Sequence, residues 1–468
     1  MMNRTKQGLL ILSFLGISSN FLFAQQSAIN YSLAECISFA KENSQRLKNV
    51  RLDEQLQLEK NNEIIGIARP QVKATAQFQY LFVLPTQRAD ANAFNFSNSL
   101  SFFKIDTPAF IAYQQLPKEK YTELQFGLPL NVSAGIQASQ ILFDAGVLVA
   151  LKARQSLEEL SVLNTKRTEE ELHVNISKAY YNCIIAEKRV SLLNENIKLL
   201  SSIENTTSKL YKEGFAERID VDRLNVQLNN LKIEKQKIEN LISLSYQVLK
   251  FQMGMPLDRN LSLVDNLSIE EVKNGLELDE VINYNNRIEM SLLQTAKKLN
   301  GYELERQNKS YLPTIVAAVS GQYATQTIGF KELFTLPYFP TGAFVISASV
   351  PIYDGNARKA KVKQAKIALM KNENDMEALK QAIDFENSNA RTQLKNSLIS
   401  LENQKSNIEL AEKVYKVAQA KYKEGVGSNI EIIQAETALK DAQTNYFNSL
   451  YETIISKIDF QKSLGQYK

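Results

Sequence analysis

Residues 141–146 read ILFDAG and residues 351–356 read PIYDGN, and both mark a change from one repeating pattern to another. Apolar and polar residues alternate before each stretch, and apolar residues recur every three or four positions after it. Asp144 and Asp354 stand where the helical pattern begins. Aspartate is a common N-cap because its side chain accepts a hydrogen bond from the free amides of the first turn. The two stretches indicate two copies of one module, offset by about 210 residues.

The helical patterns that follow the two junctions are long. Residues 147–212 and about 356–423 contain almost no helix breakers, and their apolar residues form a narrow stripe. Each run ends in Tyr-Lys-Glu-Gly, at residues 211–214 and 422–425. Glycine there suits the left-handed residue that ends a helix. On periodicity alone a two- or three-stranded coiled coil is an equal alternative, but the repeated turn favours a duplicated module.

Shorter helical segments flank the long ones in both copies. Helical periodicity resumes over residues 219–251 and 430–464, and it also precedes the strand-like runs at 32–69 and 278–312. A rise of 1.5 Å per residue gives each long helix about 100 Å, and the two shorter helices of each copy about 50 and 55 Å. Two short helices end to end therefore match one long helix. These lengths predict the wall of a tube about 100 Å long rather than a compact bundle.

Four runs with a period of two lie between the helical segments. They cover residues 70–82, 125–137, 314–323 and 344–352, with apolar residues on one face and polar residues on the other. This alternation predicts β-strands, and tilted strands of about 10 to 13 residues span a bilayer with the apolar face towards lipid. The alternative is a soluble sheet packed on the helices. Pro129 cannot donate to a ladder and therefore needs a bulge or a place near the strand end.

The distribution of aromatic residues favours a membrane sheet. Residues 78–126 and 323–353 hold about 18 of the 41 aromatic residues, and membrane interfaces enrich aromatic residues at strand ends. Four strands cannot close a barrel, because open edges in lipid leave backbone groups unpaired and the smallest membrane barrels have about eight strands. The barrel must therefore be shared between chains. A trimer would give twelve strands, although the open edges do not decide between three chains and two or four.

The start of the chain predicts a cleaved secretory signal. Arg4 and Lys6 precede an apolar run that ends at Ala24. Its removal changes the formal net charge from +4 to about +2, so nucleic acid is not a favoured partner. We therefore expect the protein to leave the cytoplasm.

The signal, the duplicated helix–strand–strand–long helix module, the aspartate junctions and the Tyr-Lys-Glu-Gly turns together resemble the TolC family of outer-membrane efflux proteins. The resemblance covers about residues 32–465. It implies a mainly α protein with membrane β-structure, in which a long-helix α-barrel is continuous with a transmembrane β-barrel of four strands per chain and twelve in a homotrimer. It also implies location in the outer membrane of a Gram-negative bacterium, with a large periplasmic part. The implied partners are a periplasmic adaptor (membrane fusion) protein, an inner-membrane pump and outer-membrane lipid.

The resemblance divides the chain into six segments. They are a signal peptide (1–24), a periplasmic helix (25–69), transmembrane strands 1 and 2 with an extracellular loop (70–142), the first helical repeat with a linker (143–312), transmembrane strands 3 and 4 (313–353) and the second helical repeat (354–468). The connection at about residues 84–120 is about 17 residues longer than its counterpart, and membrane barrels keep long loops outside. We therefore expect an extracellular lid or surface contact at Asn95, Phe96, Phe102 and Phe103.

Similarity to the family also implies the position of the functional site. The periplasmic tip would comprise residues 214–222 and 425–433, with aperture and adaptor-contact residues Gly214, Glu217, Asp220, Asp222, Gly425, Gly427, Asn429 and Glu431. Pro70, Asp144, Pro313 and Asp354 would form the helix–strand junctions. Tripled by the oligomer, the tip carboxylates would form rings whose repulsion favours opening or cation passage. The alternative is that they are solvated turn residues. Gln434 departs from the family, in which several second-copy turns carry an acidic residue there.

No catalytic, cofactor or metal site is predicted. His173 is the single histidine and has no nucleophile constellation beside it, and the chain has no glycine-rich phosphate loop. Cys36 and Cys183 lie at similar helical depth, so a bridge is possible in depth, but two free buried thiols are the favoured interpretation.

Three functional interpretations follow from the sequence. The favoured one is a passive exit duct for efflux or type I secretion. The alternatives are a periplasmic coiled-coil scaffold or adaptor protein without a membrane barrel and, more remotely, a cell-surface enzyme.

Overall fold

The computed structural model describes residues 29–90, 121–264 and 280–467. The predicted signal peptide at 1–24 lies outside the described residues. So do the predicted lid residues Asn95, Phe96, Phe102 and Phe103.

The chain begins with a short strand and two helices. Strand β1 (Ile29–Tyr31) precedes α1 (Leu33–Asn43) and α2 (Gln45–Ile67). The prediction of one helix over 32–69 is therefore wrong, because the helix is interrupted at Ser44, whose ψ of 121° is not helical. Ser32 begins α1 with a capping box: its side chain accepts from the Glu35 amide, and the Glu35 carboxylate accepts from the Ser32 amide.

The predicted strands are present. Strands β2 (Gln71–Tyr80), β3 (Thr86–Asp90), β4 (Tyr121–Gln125) and β5 (Leu130–Phe143) belong to the first copy. The predicted run at 125–137 starts later than expected, because residues 126–129 separate β4 from β5 and Gly127 among them has a φ of +89°. Pro129 thus precedes the strand rather than interrupting it, as its missing amide hydrogen requires.

The two long helices and the two helices that follow the turns have the predicted lengths. The first copy contains α3 (Ala145–Lys212, 68 residues) and α4 (Arg218–Met253, 36 residues), followed by the short strand β6 (Leu261–Leu263). The second begins with α5 (Ile288–Lys309), shorter than the predicted 278–312. After strands β7 (Thr314–Thr327) and β8 (Phe339–Ser349) come α6 (Ala357–Lys423, 67 residues) and α7 (Asn429–Ser463, 35 residues). Among the described helices, none is both long enough and apolar enough to cross a membrane.

Four strands form one antiparallel sheet in the order β2–β5–β7–β8. The central pair, β5 and β7, joins the two copies, and its register shifts between Ile141 and Phe143. Strands β2 and β8 each pair on one side only within the described chain. A second ladder, in which β1 runs parallel to β6, was not predicted, because three-residue strands are too short to show a period.

The two junctions begin their long helices differently. Asp144 is the expected cap, since its Oδ1 accepts from the Val147 amide at 3.0 Å, and its Oδ2 accepts from the Thr314 hydroxyl at 3.0 Å. Asp354 is not the N-cap, because Gly355 and Asn356 intervene before Ala357 with φ values of 67° and 68°. The Asp354 carboxylate nevertheless accepts from the Arg358 amide at 3.0 Å and so satisfies a free donor of the first turn.

The chain comprises two compact units, and each has its own character. One unit contains residues up to Val50, Lys166–Arg287 and Ala382–Lys468, and it holds four clusters of buried apolar residues. Cys36 and Cys183 are free thiols buried in one of these clusters, as predicted. The other unit, Arg51–Thr165 with Ile288–Gln381, contains the four-stranded sheet, in which every residue of β2 and β8 is exposed.

Candidate functional site at the two helical turns

Left-handed glycines end both long helices. Gly214 has a φ of +82° and Gly425 a φ of +75°, which confirms the turn chemistry predicted from the repeated tetrapeptide. In each turn the amide after the glycine donates back to the helix, from Phe215 to the Leu210 carbonyl at 2.8 Å and from Val426 to the Lys421 carbonyl at 3.0 Å.

The second turn is the tighter of the two. The Gly427 amide also donates to the Lys421 carbonyl at 3.0 Å. A Cβ atom on Gly427 would lie 2.9 Å from both the Lys421 Cβ and the Tyr422 amide nitrogen. Glycine is required here by close packing, since the φ of Gly427 is not positive.

The tyrosines of the two turns have different surroundings. The Tyr422 hydroxyl lies 2.5 Å from the Thr207 hydroxyl of α3, so the second turn is hydrogen-bonded to the last part of the first long helix. Tyr211, its counterpart in the first copy, is exposed.

The return helices also begin differently. Ser428 caps α7 by accepting from the Glu431 amide at 3.2 Å. Glu217 occupies the matching position before α4, but its side chain makes no capping bond. The Ser-x-x-Glu spacing of Ser428 and Glu431 is that of a capping box, and it was the sequence signal for this cap. The sequence analysis assigned Glu431 to the aperture and did not use that signal.

Two of the eight predicted tip residues touch across the two copies. Asn429 is 5% exposed, and its amide group donates to the Asp220 backbone carbonyl at 2.8 Å and to the Asp220 carboxylate at 3.3 Å. Arg223 lies 3.7 Å from the same carboxylate. Asp220 is thus held by one residue of each copy.

The other predicted carboxylates remain on the surface of this chain. Glu217, Asp222 and Glu431 are exposed, and Asp222 lies 3.7 Å from Arg218 of its own helix. A carboxylate ring therefore stays a prediction about the oligomer.

The contact between the turns continues as a parallel pairing of α4 with α7. Gln227 donates a hydrogen bond to Glu436 at 2.8 Å. Gln227 lies seven residues after Asp220 in α4, and Glu436 likewise lies seven residues after Asn429 in α7. Lys440 then lies 3.5 Å from Glu234, one heptad beyond Gln227. We call these three contacts, Asp220–Asn429, Gln227–Glu436 and Glu234–Lys440, the polar ladder.

Apolar side chains fill the layers between the contacts of the polar ladder. The buried cluster includes residues from all four helices that meet near the turns; its members on the two return helices are Leu224, Leu228, Leu231, Ile238, Ile432, Ala435 and Leu439. This is coiled-coil packing with polar residues at a few core positions, an arrangement that sets the register of the two helices.

Glu436 is a buried acid that the sequence interpretation missed. It is 3% exposed, and its Oε1 has no hydrogen-bond partner among the described residues. Burial raises the pKa of this carboxyl group. The Tyr415 hydroxyl is buried nearby, also without a described partner, and burial together with the Glu436 charge raises the pKa of Tyr415 to about 12. The available signal was the seven-residue spacing from Asn429, which places Glu436 on the packed face of α7.

Comparison with known proteins gives one consistent result. Residues 286–466 match the family model described as outer membrane efflux protein. These residues contain the whole second strand pair, its long helix and the second turn.

Relatives and solved structures extend the similarity to most of the chain. The outer membrane protein TolC of Vibrio cholerae is 19% identical over 71% of this chain and 76% of its own length. The probable efflux pump outer membrane protein TtgC of Pseudomonas putida is 22% identical over 75% of this chain and 72% of its own. The crystal structure of the outer membrane protein VceC of Vibrio cholerae superposes with a TM-score of 0.68 at 13% identity and covers 92% of this chain and 96% of that one.

Proposed function

Because the chain is a member of the TolC family of outer-membrane efflux proteins, we propose that it forms the outer-membrane exit duct of a tripartite efflux or type I secretion system. The observation that supports this most directly is a four-stranded sheet with two open edges, built between two copies of a long-helix module. The family consists of channels rather than enzymes. The duct would therefore conduct substrates passively, with energy supplied by a pump.

The open edges support a homo-oligomer, and similarity to the TolC family supports three copies. In lipid, every backbone amide and carbonyl needs a partner within the protein, at a cost of several kcal/mol for each unpaired group. Strands β2 and β8 each have one free edge in the described chain, so neighbouring copies must pair with them. Three copies close a barrel of twelve strands, within the size range of membrane barrels.

The side chains of the edge strands suit lipid on one face. Val72 and Phe78 of β2 and Phe344 and Ile346 of β8 are large apolar residues exposed in the single chain, and within each strand they are an even number of residues apart. Residues at even spacing share one face of a strand. A membrane removes this apolar surface from water.

The two turns suit a protein partner. Phe215 and Val426 each follow the left-handed glycine of their turn, and both side chains are largely exposed. Apolar side chains at the tip of a turn, surrounded by exposed charges, are typical of a contact surface. We propose that they contact a periplasmic adaptor protein, which links the duct to an inner-membrane pump.

Fractionation and reconstitution test the duct directly. We expect the protein to stay in the outer-membrane fraction after extraction with high salt, to require detergent for release, and to have the mass of a trimer by native mass spectrometry. Reconstituted into a planar bilayer, it should give discrete conductance steps. Release by salt as a monomer would instead favour the periplasmic scaffold.

Photocrosslinking in cells tests the adaptor contact. A photoreactive amino acid at Phe215 or Val426 should crosslink to a periplasmic protein, which mass spectrometry would identify. Phe251 is equally exposed near the far end of α4 and is the matched control. Equal crosslinking to the same protein from Phe251 would contradict a docking role for the turns.

A further inference from the structure

The first turns of α6 are strongly basic. Between Asp354 and Glu373 the chain has no acidic residue, whereas it has six basic ones: Arg358, Lys359, Lys361, Lys363, Lys366 and Lys371. Five of the six are exposed, and the four nearest the sheet in the chain are Lys359, Lys361, Lys363 and Lys366. We call these four residues the basic block.

The basic block has no acidic partner in the described part of the chain. Arg358 lies 3.5 Å from Asp354, but no ion pair is formed by any of the four lysines. Other exposed lysines of the same unit do pair: Lys298 lies 3.2 Å from Glu159 and Lys152 lies 3.4 Å from Glu305.

The position of the basic block is unfavourable for an isolated helix. Cations at a helix N-terminus oppose the macrodipole, and like charges spaced three or four residues apart repel one another. Lys359 and Lys363 are four apart, and Lys363 and Lys366 are three apart. The stability of the helix therefore does not explain why these lysines stand at the start of α6.

The duplicated module does not require it either. The corresponding start of α3 is mostly apolar, with Lys152 and Arg154 as its only basic residues before Lys166. The difference between the copies indicates that the basic block serves something outside the fold common to both.

Apolar residues lie between the basic block and the sheet. Ile352 is 96% exposed and Tyr353 is 81% exposed, in the short connection from β8 to α6. A tyrosine beside an aliphatic residue at the end of a membrane strand is typical of the membrane interface. The lysines follow directly after this pair in the chain.

The dimensions place the first lysines of the basic block at the depth of a lipid headgroup layer. At 1.5 Å per residue along the helix axis, the backbones of Lys359, Lys361 and Lys363 lie within about 10 Å of the first residue of α6. That of Lys366 lies about 14 Å from it. Helical side chains lean towards the N-terminus, here towards the sheet, so the ammonium groups lie closer still. The interfacial region of a bilayer is about 5–8 Å thick on each side.

We propose that the basic block, together with Ile352 and Tyr353, binds the headgroups of anionic glycerophospholipids in the periplasmic leaflet of the outer membrane. This rests on the proposed function insofar as β8 spans the membrane. The lysines contact lipid phosphates at the level where the strand ends, and the apolar pair enters the acyl boundary. Clusters of four or more basic residues beside a membrane segment recognise anionic lipid in this way.

Lipid binding by the purified oligomer tests the proposal. The variant replaces all four lysines of the basic block by glutamine. The matched control makes the same change at four exposed lysines in the second half of α6, namely Lys395, Lys405, Lys413 and Lys423. Native mass spectrometry with phosphatidylglycerol added to the detergent gives the apparent affinity, at low and at high salt. Phosphatidylethanolamine and lipopolysaccharide are the comparison lipids.

We expect the variant to bind phosphatidylglycerol at least about tenfold more weakly than the wild type and to lose most of the salt dependence. The control should stay within about twofold of the wild type. A second variant, Tyr353→Ser, should weaken phosphatidylglycerol binding while retaining the salt dependence.

Three results would overturn the proposal. They are unchanged phosphatidylglycerol binding by the variant, an equal loss in the control, and a stronger effect on lipopolysaccharide than on phosphatidylglycerol. Unchanged lipid binding with altered anion conductance would place the lysines in the lumen instead. Failure of the proposed function is detected separately, because a chain that is no membrane oligomer fails the detergent and mass tests before lipid is added.

Discussion

The carboxyl group of Glu436 is buried on the packed face of α7, with Gln227 as its hydrogen-bond donor. The charges acting on it are Lys440 and Asp441 from its own helix and Glu234 from α4, while α6 contributes the Tyr415 hydroxyl. The one cation favours ionisation, but burial dominates and raises the pKa of Glu436 above its ordinary value of 4.5. The folded state therefore binds the proton more tightly than the unfolded state.

From this shift we predict that Glu436→Gln removes a pH dependence of the local stability of the return helices α4 and α7. Since the folded pKa is raised, the stability contributed by the protonated form is fully present below pH 4.5 and is lost as the pH rises through the folded pKa. The amide stays neutral, so the variant should resist local opening better at high pH, by on the order of 1 kcal/mol, and match the wild type at low pH. Hydrogen exchange of α4 and α7 amides across the pH range measures this, with exposed Glu424→Gln as the control. An identical pH profile for Glu436→Gln and the wild type would contradict the prediction.

Gly427 permits a second prediction at the same scale. Gly427→Ala places a Cβ atom 2.9 Å from backbone and side-chain atoms of the preceding turn, so we expect a loss of about 1–3 kcal/mol in stability. Gly66→Ala is the matched control, because nothing lies within 4 Å of the added atom and alanine favours the helix. Thermal unfolding of the detergent-solubilised oligomer distinguishes the two. A Gly427→Ala variant as stable as the wild type would show that the turn can widen freely.

At the scale of elements, a residue that caps one helix can be distinguished experimentally from a residue that joins two helices. Ser428 serves only α7, whereas Asn429 joins α7 to Asp220 of α4. Ser428→Ala should therefore increase hydrogen exchange in the first turn of α7 alone, by about 1 kcal/mol in local stability. Asn429→Ala should increase exchange at the start of both helices by a similar amount, because it removes the first contact of the polar ladder. Equal effects of the two variants on α4 would show that the ladder does not couple the helices.

At the scale of the whole molecule, the proposed trimer would complete the sheet with other copies of the chain, and the two faces of the sheet would meet different surroundings. Ile346 and Ser347 are adjacent exposed residues of β8 and lie on opposite faces. Ile346→Lys places a charge on the lipid side, at a cost of about 2–4 kcal/mol near the bilayer midplane, so we expect little trimer in the outer membrane. Ser347→Lys should assemble normally and shift conductance towards anions. The trimer yield and the ion selectivity in planar bilayers measure both effects. If instead Ser347→Lys prevented assembly and Ile346→Lys changed the selectivity, the lipid-facing and lumen-facing sides of β8 would be the reverse of those proposed.

Much of the fold follows from local pattern. A period of two at β2 and β8, a period near 3.6 along α3 and α6, and glycine at 214 and 425 are each set by a few neighbouring residues, because they depend on backbone geometry within one element. Where local signals were weak, prediction was less successful. The interruption at Ser44 and the three-residue strand β1 leave no period to detect.

The pairing of distant elements was decided by tertiary structure. Nothing in the alternation of β5 and β7 specifies that the two copies join through these strands, since hydrogen bonds between backbones are independent of side-chain identity. Likewise, the sequence pattern predicted a ring-forming Asp220 and assigned no role to Glu436, whereas the parallel register of α4 and α7 joins the first to Asn429 and buries the second. Sequence periodicity thus determines which face of an element is apolar. Packing determines which polar residues lie between two such faces. Only between such faces is a carboxyl group removed from water, and this removal changes its contribution to the free energy of folding.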